Sequence, residues 1–483
     1  MTTRTRFAPS PTGYIHVGNV RSALYPYLIA KQTGGRFVLR IEDTDQSRFV
    51  DGAEELIIDT LQWLGLDWNE GPITANGEET GNFGPYHQTK RANIYLKWAE
   101  KMIEKGLAYA DPYSLAEVQE FRDLAKKEKR AFLYRNHRPE NPPRWQLGMP
   151  LRFKTPEIKR YIWQDAVMGE LSAGSEALDD FILIKADGLP TYNFAHIVDD
   201  YEMQITHVIR GAEYVASTPK YLSLYDALEI TPPVLAHVPH ILAPSGNKKL
   251  GKRDGAKSVS GYRDEGILPE AMLNFLAQLG WNDGTEQDIF TKEELIEKFS
   301  LDRVQKSGAR FDEQRLLWLN GQWIRRLELD DLFTRIKIFW GEAGAKATPE
   351  KQKQVLALVQ DRLKTLADLP AASEYFFTRP VPNLEMVSTN KQLKKLEKTE
   401  INELLATTIG DFQSLPAEDW LPENIQNLLN NLLEKTRTKP GILFQLIRIA
   451  ATWAPFSPQL NDTLAVLGKT ETIARLQEAK QLC

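Results

Sequence analysis

The chain has 483 residues, 42% apolar and 26% charged, with a formal net charge of −5. That is the composition of a globular protein with more than one domain, since single cores rarely grow beyond roughly 250–300 residues. No stretch approaches the ~18 apolar residues of a membrane span, no signal-type apolar segment follows Met1, and the lone Cys483 excludes an internal disulfide framework and a cysteine-based zinc site; the expectation is a cytoplasmic location.

The first hundred residues read as α/β. Residues 5–8 form a strand that ends in the turn Pro9-Ser10-Pro11-Thr12-Gly13. Residues 19–33 form a helix with Val20, Ala23, Leu24, Tyr27 and Leu28 on one stripe, closed by Gly34-Gly35. Residues 36–42 return as a strand with the continuous apolar centre of a buried parallel strand. The loop after the first strand of such a unit is where open α/β sheets bind ligands.

Residues 91–180 read as a mixed insertion, with an amphipathic helix (Ile94, Trp98, Met102, Ile103) ended by Gly106. A basic run follows: Arg122, Lys126, Lys127, Lys129, Arg130, Arg135 and Arg138 against Asp123 and Glu128. A second α/β block begins near Asp180, with strands predicted at 181–185, 205–210 and 234–238 and helices at 192–198 and from 217, where Ser217 is a suitable N-cap, to 228. Past residue 258 the strand signal fades. Helices are predicted at 269–280, 312–325, 350–368, 391–408, 422–437 and 470–481, with a second basic run at Lys391, Lys394, Lys395 and Lys398. Each run alone is as well a solvated helix face; two far apart also suit a long polyanion.

Two motifs carry the chemistry. His16 and Gly18 stand where a strand gives way to a helix, and backbone N–H groups at a helix N-terminus attract phosphate. Lys249, Lys252 and Arg253, interleaved with Gly251 and Gly255, supply mobile positive charge for a transferring phosphoryl group. Each motif alone is weak; together, after two strands of a split sheet, they imply a triphosphate site. Arg6 and Arg210, toward the carboxyl ends of strands, suit a carboxylate ligand, or else ion pairs with Glu42, Asp43 or Asp45. Those acidic residues could take an ammonium group or Mg²⁺, or have a structural role.

The segments PSPTGYIHVGNVRSAL at 9–24, RIEDTD at 40–45, DGLPTYNFAHIVDD at 187–200, THVIRGAE at 206–213 and HILAPSGNKKLGKRDGA at 240–256 closely resemble a class I aminoacyl-tRNA synthetase, specifically the bacterial-type glutamyl-tRNA synthetases. PEAMLNFLAQLGW at 269–281 extends the resemblance, which covers essentially the whole chain. It implies a Rossmann-like catalytic domain in two halves (1–90 and 181–257), an inserted acceptor-stem domain (91–180), a helical stem-contact domain (258–325) and an all-α anticodon-binding region (326–483). It also implies ATP with Mg²⁺, glutamate and glutamate tRNA as partners of a monomer.

By the same resemblance His16, Lys249, Lys252 and Arg253 are catalytic. Pro9, Ser10, His16, Gly18, Asn19 and Lys252 bind ATP. Arg6, Ala8, Ser10, Glu42, Tyr192, His196 and Arg210 line the glutamate site, with Arg210 on the side-chain carboxylate and Glu42 toward the α-amino group. Asn19 and Gly251 depart from the family's His and Ser. Asp111 and Tyr113 stand where some members carry zinc-binding cysteines, so no structural zinc is expected and His137 is expected at the surface or facing tRNA. Phe376, Phe377, Trp420, Phe444 and Trp453 are the candidate anticodon aromatics, though most should be core. Three other readings remain: a non-ligase nucleotidyltransferase, which would not need some 200 further helical residues; the truncated paralogue that glutamylates a modified tRNA base, which lacks the helical domains; and an RNA-binding protein with a dead catalytic domain, against which His16, Arg6, Arg210 and Lys252 speak.

Overall fold

The computed structural model describes residues 2–75, 77–251, 257–454 and 456–482. The chain divides into two compact units. One runs to Arg263 and resumes over Pro269–Leu316; the other takes the short stretch Asp264–Leu268 and everything from Leu317 onward. No helix among the described residues is long and apolar enough to cross a membrane.

The first unit is built on a six-stranded sheet. Strand β1 (Arg4–Phe7) lies parallel between β2 (Arg36–Leu39) and the strand His207–Gly211, which pairs in turn with Val234–Val238. Helix α1 (Val17–Gln32) crosses between β1 and β2, with Val20, Ala23, Leu24, Tyr27 and Leu28 buried as the stripe predicts. Its start is set by a reciprocal cap: the backbone N–H of Gly18 donates to Nδ1 of His16 (3.0 Å), and that of His16 donates to the Asn19 side chain (3.1 Å). It ends where Gly34 takes φ +62°, a left-handed position natural to glycine.

The sheet continues past Val234–Val238 with Tyr161–Asp165 in parallel and Gly169–Ala173 antiparallel at the edge. These two strands lie inside the stretch 91–180 expected as insertion. The predicted strand at 181–185 goes the other way. Ile182–Ile184 joins Leu151–Phe153 and Ala108–Ala110 in a separate three-stranded antiparallel sheet. The hairpin at 161–173 turns on Asp165, whose carboxylate accepts the N–H groups of Val167 and Met168. Ser217 does precede a helix, Thr218–Leu228, but caps it with no side-chain hydrogen bond, because the 3₁₀ stretch Ala212–Ser217 runs straight in.

In the insertion, Asp111 is buried and bound by Arg152 (2.7 Å) and the Tyr134 hydroxyl (2.5 Å). His137, expected at the surface or facing tRNA, is half-buried and stacks on Phe121 (4.3 Å between centroids) and Phe132, with Tyr113 edge-on to Phe121. Two of the basic-run residues are also turned inward: Arg138 pairs with Asp180 (2.7 Å) and Arg135 donates to the Ser175 carbonyl. Lys126, Lys127 and Lys129 stay exposed.

A buried imidazole makes the first unit sensitive to pH. His87 has Glu54 at 2.8 Å from one ring nitrogen and Glu79 at 2.9 Å from the other. Two carboxylates on two nitrogens require two protons. The Glu54 hydrogen bond raises the His87 pKa, burial opposes it, and Glu79 adds to the rise while Lys90 opposes. A raised pKa stabilises the fold fully below the unfolded histidine value of about 6.5, and that stability is lost as pH rises through the folded value. Urea denaturation should therefore give a midpoint for the native chain that falls with rising pH above that point relative to His87→Gln, which lacks the dependence.

The second unit is helical, with Pro349–Val359, Lys398–Ser414, Pro422–Thr436, Pro440–Thr452, Leu460–Leu467 and Lys469–Leu482 packed around Leu356, Leu405, Phe412, Leu429, Ile447, Leu464 and Leu476. The predicted helix at 350–368 stops early, since the Asp368 carboxylate takes the N–H groups of Lys364 and Thr365 and holds that segment in turns. The one at 391–408 starts late. Asn390 binds the N–H groups of Gln392 and Leu393, and Glu397 and Glu400 form a capping pair, so Lys391, Lys394 and Lys395 precede the helix. Gly266, at φ +82°, presses against the backbone of Leu366; its carbonyl accepts from the buried Asn320 side chain (3.1 Å), which also accepts the Leu268 N–H (2.8 Å).

Candidate active site

At the carboxyl ends of β1 and His207–Gly211 a cavity of about 290 Å³ opens. It gathers Arg6, Ala8, Pro9, Ser10, His16, Gly18, Asn19, Glu42, Tyr192, Arg210 and Lys249, which come from both halves of the split sheet. His196 does not line it but sits one layer below, stacked on Tyr192 (4.6 Å) and facing Arg210. Lys252 and Arg253 lie outside the described residues.

The His16 cap fixes more than the helix. With Nδ1 accepting from Gly18, the proton of a neutral ring sits on Nε2. A Cβ on Gly18 would stand 2.8 Å from Cε1 of His16, so a larger residue fits only if this imidazole moves. Gly18→Ala should displace His16 and raise KM for ATP by about fivefold to tenfold, roughly the 1 kcal/mol of a lost helix cap, with little change for glutamate; varying each substrate in steady-state kinetics checks it. Lys249, at the start of the second motif, lines the same cavity. Val259 donates to the Ile15 carbonyl and His16 bridges to Ser258, so the chain leaving the lysine-rich loop is stitched to the first motif. Lys249 reaches Glu213 at 2.9 Å.

Beneath the cavity floor lies a charged cluster. Arg40, fully buried, binds Glu42 (2.9 Å) and Asp200 (2.8 Å) and lies 3.8 Å from Asp199. Arg6 binds Asp200 at 3.1 Å, and Arg91 binds Asp199 at 2.6 Å. Burial works against the Asp200 charge, but Arg6 and Arg40 outweigh it and bring its pKa down to about 2. Burial raises that of Glu42, with Arg40 and Arg6 offsetting part of the rise. The partner of Arg6 is thus Asp200, not the acidic stretch at 42–45. Asp43 instead accepts from Thr89 (2.8 Å), and Asp45 pairs with exposed Arg48.

Arg210 is different. It is buried, yet among the described residues no carboxylate pairs with it. Its contacts include Nε2 of His237 at 3.2 Å, Nε2 of His196 at 3.4 Å, a hydrogen bond with the Tyr192 side chain, and the faces of Tyr214 and Tyr221, each 4.9 Å away. A buried cation without a counter-ion is costly unless a ligand supplies one. Glu213, His237, Asp165, Arg40 and the Asp199-Asp200 pair complete the site, and sequence reasoning gave none of them a role; the doubled aspartate at the end of a predicted helix was the one visible signal.

Among the described residues no group of three or more His, Cys, Asp or Glu side chains could hold a metal ion. The two carboxylates that line the cavity are engaged, Glu42 by Arg40 and Glu213 by Lys249. They do not make a protein cage for Mg²⁺.

Residues 2–318 match the family model for the catalytic domain of class I tRNA synthetases (E and Q), and residues 329–480 match an anticodon binding domain. The chain is thus a class I tRNA synthetase in architecture. It is 41% identical to a glutamate–tRNA ligase of Clostridium botulinum over 98% of this chain and 97% of the relative, and 37% identical to glutamate–tRNA ligase 2 of Caldicellulosiruptor saccharolyticus over 98% of each. A crystal structure of a glutamate tRNA ligase from Elizabethkingia meningosepticum in complex with its amino acid superposes with a TM-score of 0.88 at 33% identity, covering 100% of this chain and 99% of that one. The chain belongs to the glutamate–tRNA ligase family.

Proposed function

We propose that this chain activates glutamate with ATP and transfers the glutamyl group to the terminal ribose of glutamate tRNA. The α-carboxylate oxygen of glutamate attacks the α-phosphorus, the bond to the β-phosphate breaks, and pyrophosphate leaves with the electron pair. A ribose hydroxyl then attacks the glutamyl carbonyl, loses its proton, and AMP departs. The observation that carries this reading is Arg210, a buried guanidinium with no carboxylate partner among the described residues, opening on a cavity shared with the N-terminus of a capped helix. In this reading Arg210 takes the side-chain carboxylate of glutamate and Glu42 faces its α-amino group. Arg6, Ala8, Ser10, Tyr192 and His196 shape the rest of that pocket.

His16, Gly18, Asn19, Pro9 and Ser10 hold ATP at the α1 N-terminus, while Lys249, Lys252 and Arg253 stabilise charge as pyrophosphate forms. Mg²⁺ would come as part of the nucleotide substrate and would neutralise triphosphate charge, since Glu42 and Glu213 at the cavity are engaged by Arg40 and Lys249. In the second unit, a cavity of about 780 Å³ lined by Arg362, Lys391, Phe444 and Arg448 suits an anticodon base. Phe444 is half-buried there, whereas Phe376, Trp420 and Trp453 are core. Arg448 has its pKa lowered by burial and by Arg362, as in a site awaiting an anion or a base edge.

Aminoacylation with radiolabelled glutamate on glutamate tRNA and glutamine tRNA transcripts tests the proposal. Charging of glutamate tRNA is expected. Charging of both marks a non-discriminating enzyme, and charging of neither rejects the ligase reading.

A further inference from the structure

Arg210 is gripped by ring nitrogens instead of carboxylates, and the grip runs across the sheet. Arg210 and His237 are register partners on adjacent parallel strands, and the next strand contributes Asp165, in register with Leu235, two residues before His237. The Asp165 carboxylate accepts His237 Nδ1–H at 2.6 Å and the backbone N–H groups of Val167 (3.0 Å), Met168 (2.9 Å) and His237 (3.2 Å). Burial works against the Asp165 charge, but those hydrogen bonds hold its pKa below the usual carboxylate value. Burial also lowers the His237 pKa, with Arg210 opposing protonation further and Asp165 favouring it. A neutral His237 with its proton on Nδ1 turns the lone pair of Nε2 to the Nε–H of Arg210, 3.2 Å away.

His196 repeats the pattern on the other flank. Its Nδ1 donates to the Tyr192 carbonyl (2.6 Å) and its Nε2 faces Nη1 of Arg210; burial and then Arg210 push its pKa down to about 3. Two imidazole lone pairs thus orient the guanidinium without neutralising it. A carboxylate in either place would do the first and spoil the second.

We propose that His237, locked in one tautomer by Asp165, is the positioning residue that aims Arg210 at the side-chain carboxylate of the amino-acid substrate. The inference rests on the assignment of Arg210 to that carboxylate. A bidentate contact needs the fork held to within fractions of an ångström, and a misplacement of about 1 Å costs up to about a hundredfold.

Asp165→Asn separates this role from the turn that Asp165 also makes. The amide oxygen still accepts the backbone N–H groups, but an amide N–H facing Nδ1 reverses the tautomer and sets two donors against each other at Arg210. KM for glutamate should rise at least about tenfold, with kcat within about threefold and KM for ATP and tRNA unchanged. His237→Gln presents a carbonyl oxygen whatever stands at 165, so it should be milder, and adding D165N to H237Q should change little more. If D165N does not fold, His237→Ala against H237Q carries the same test: a tenfold rise in the first, recovered in the second. A glutamate KM within twofold of wild type in D165N, equal rises in all three KM values, or additive effects in the double variant would overturn the relay. Arg210→Ala, run alongside, keeps the two claims apart: normal glutamate kinetics there would remove the assignment of Arg210 itself, while a crippled R210A beside a normal D165N would remove the relay alone.

Discussion

Replacing Arg210 with alanine is expected to lower kcat/KM for glutamate by about two to three orders of magnitude, the roughly 3–4 kcal/mol typical when one member of a buried charge pair is removed. KM for ATP should stay within about twofold to threefold, because the phosphate-binding groups at the α1 N-terminus are untouched. Lysine should not restore activity. Its single ammonium can neither accept the guidance of His237 at Nε nor present a flat fork to a carboxylate. Steady-state aminoacylation with each substrate varied in turn gives the answer, and glutamate kinetics like those of the wild type in R210A would mean that another residue binds the carboxylate.

The second large effect concerns stability. Arg40→Leu removes the cation shared by Glu42, Asp199 and Asp200 while leaving all three carboxylates buried. Asp199 keeps Arg91 and Asp200 keeps Arg6, but Glu42 loses its direct ion pair. Uncompensated buried charge of this kind costs about 3–5 kcal/mol. A clear fall in the urea midpoint of the first unit is expected, largest at neutral pH and smaller in mild acid, where Glu42 can take up a proton. An unchanged midpoint would show that the cluster relaxes around the loss.

How much of this could be read from the chain depends on the range of each interaction. The α1 stripe, its glycine stop and the turn after β1 are local, and they stand where the sequence puts them. Arg6 and Arg210 stand out as cations at the carboxyl ends of apolar strands and His16 as the residue that opens α1, yet the strand pattern alone leaves ligand binding and ion pairing equally open, and Arg6 does pair with Asp200. The cluster under the cavity is not legible in this way, since Arg40 meets Asp200 160 positions further along the chain and nothing local marks the pairing. The edge hairpin was misplaced for a related reason. The alternating exposure of Tyr161–Asp165 suits any half-covered strand, and only its pairing with Val234–Val238 assigns it to the main sheet. In the helical half, side-chain capping decided the boundaries. Asp368 takes backbone N–H groups that a longer helix would have needed, and the extended backbone at Glu397, whose N–H goes to the Glu400 carboxylate, sets a new helix start there.

The stretch Asp264–Leu268 also bears on how this protein can be taken apart. A fragment beginning at Leu317 would carry the helical half without the five residues that its Asn320 and Leu366 are built to hold. It would expose a slot shaped for a glycine and leave the Asn320 amide without its partners there. A fragment ending at Leu316 would carry those five residues as an orphan loop. No single cut yields two whole pieces, so inheritance, expression and proteolysis alike meet this chain as one interlaced object, and a recombination event that swapped one half for a relative's would have to carry the five-residue thread along with it.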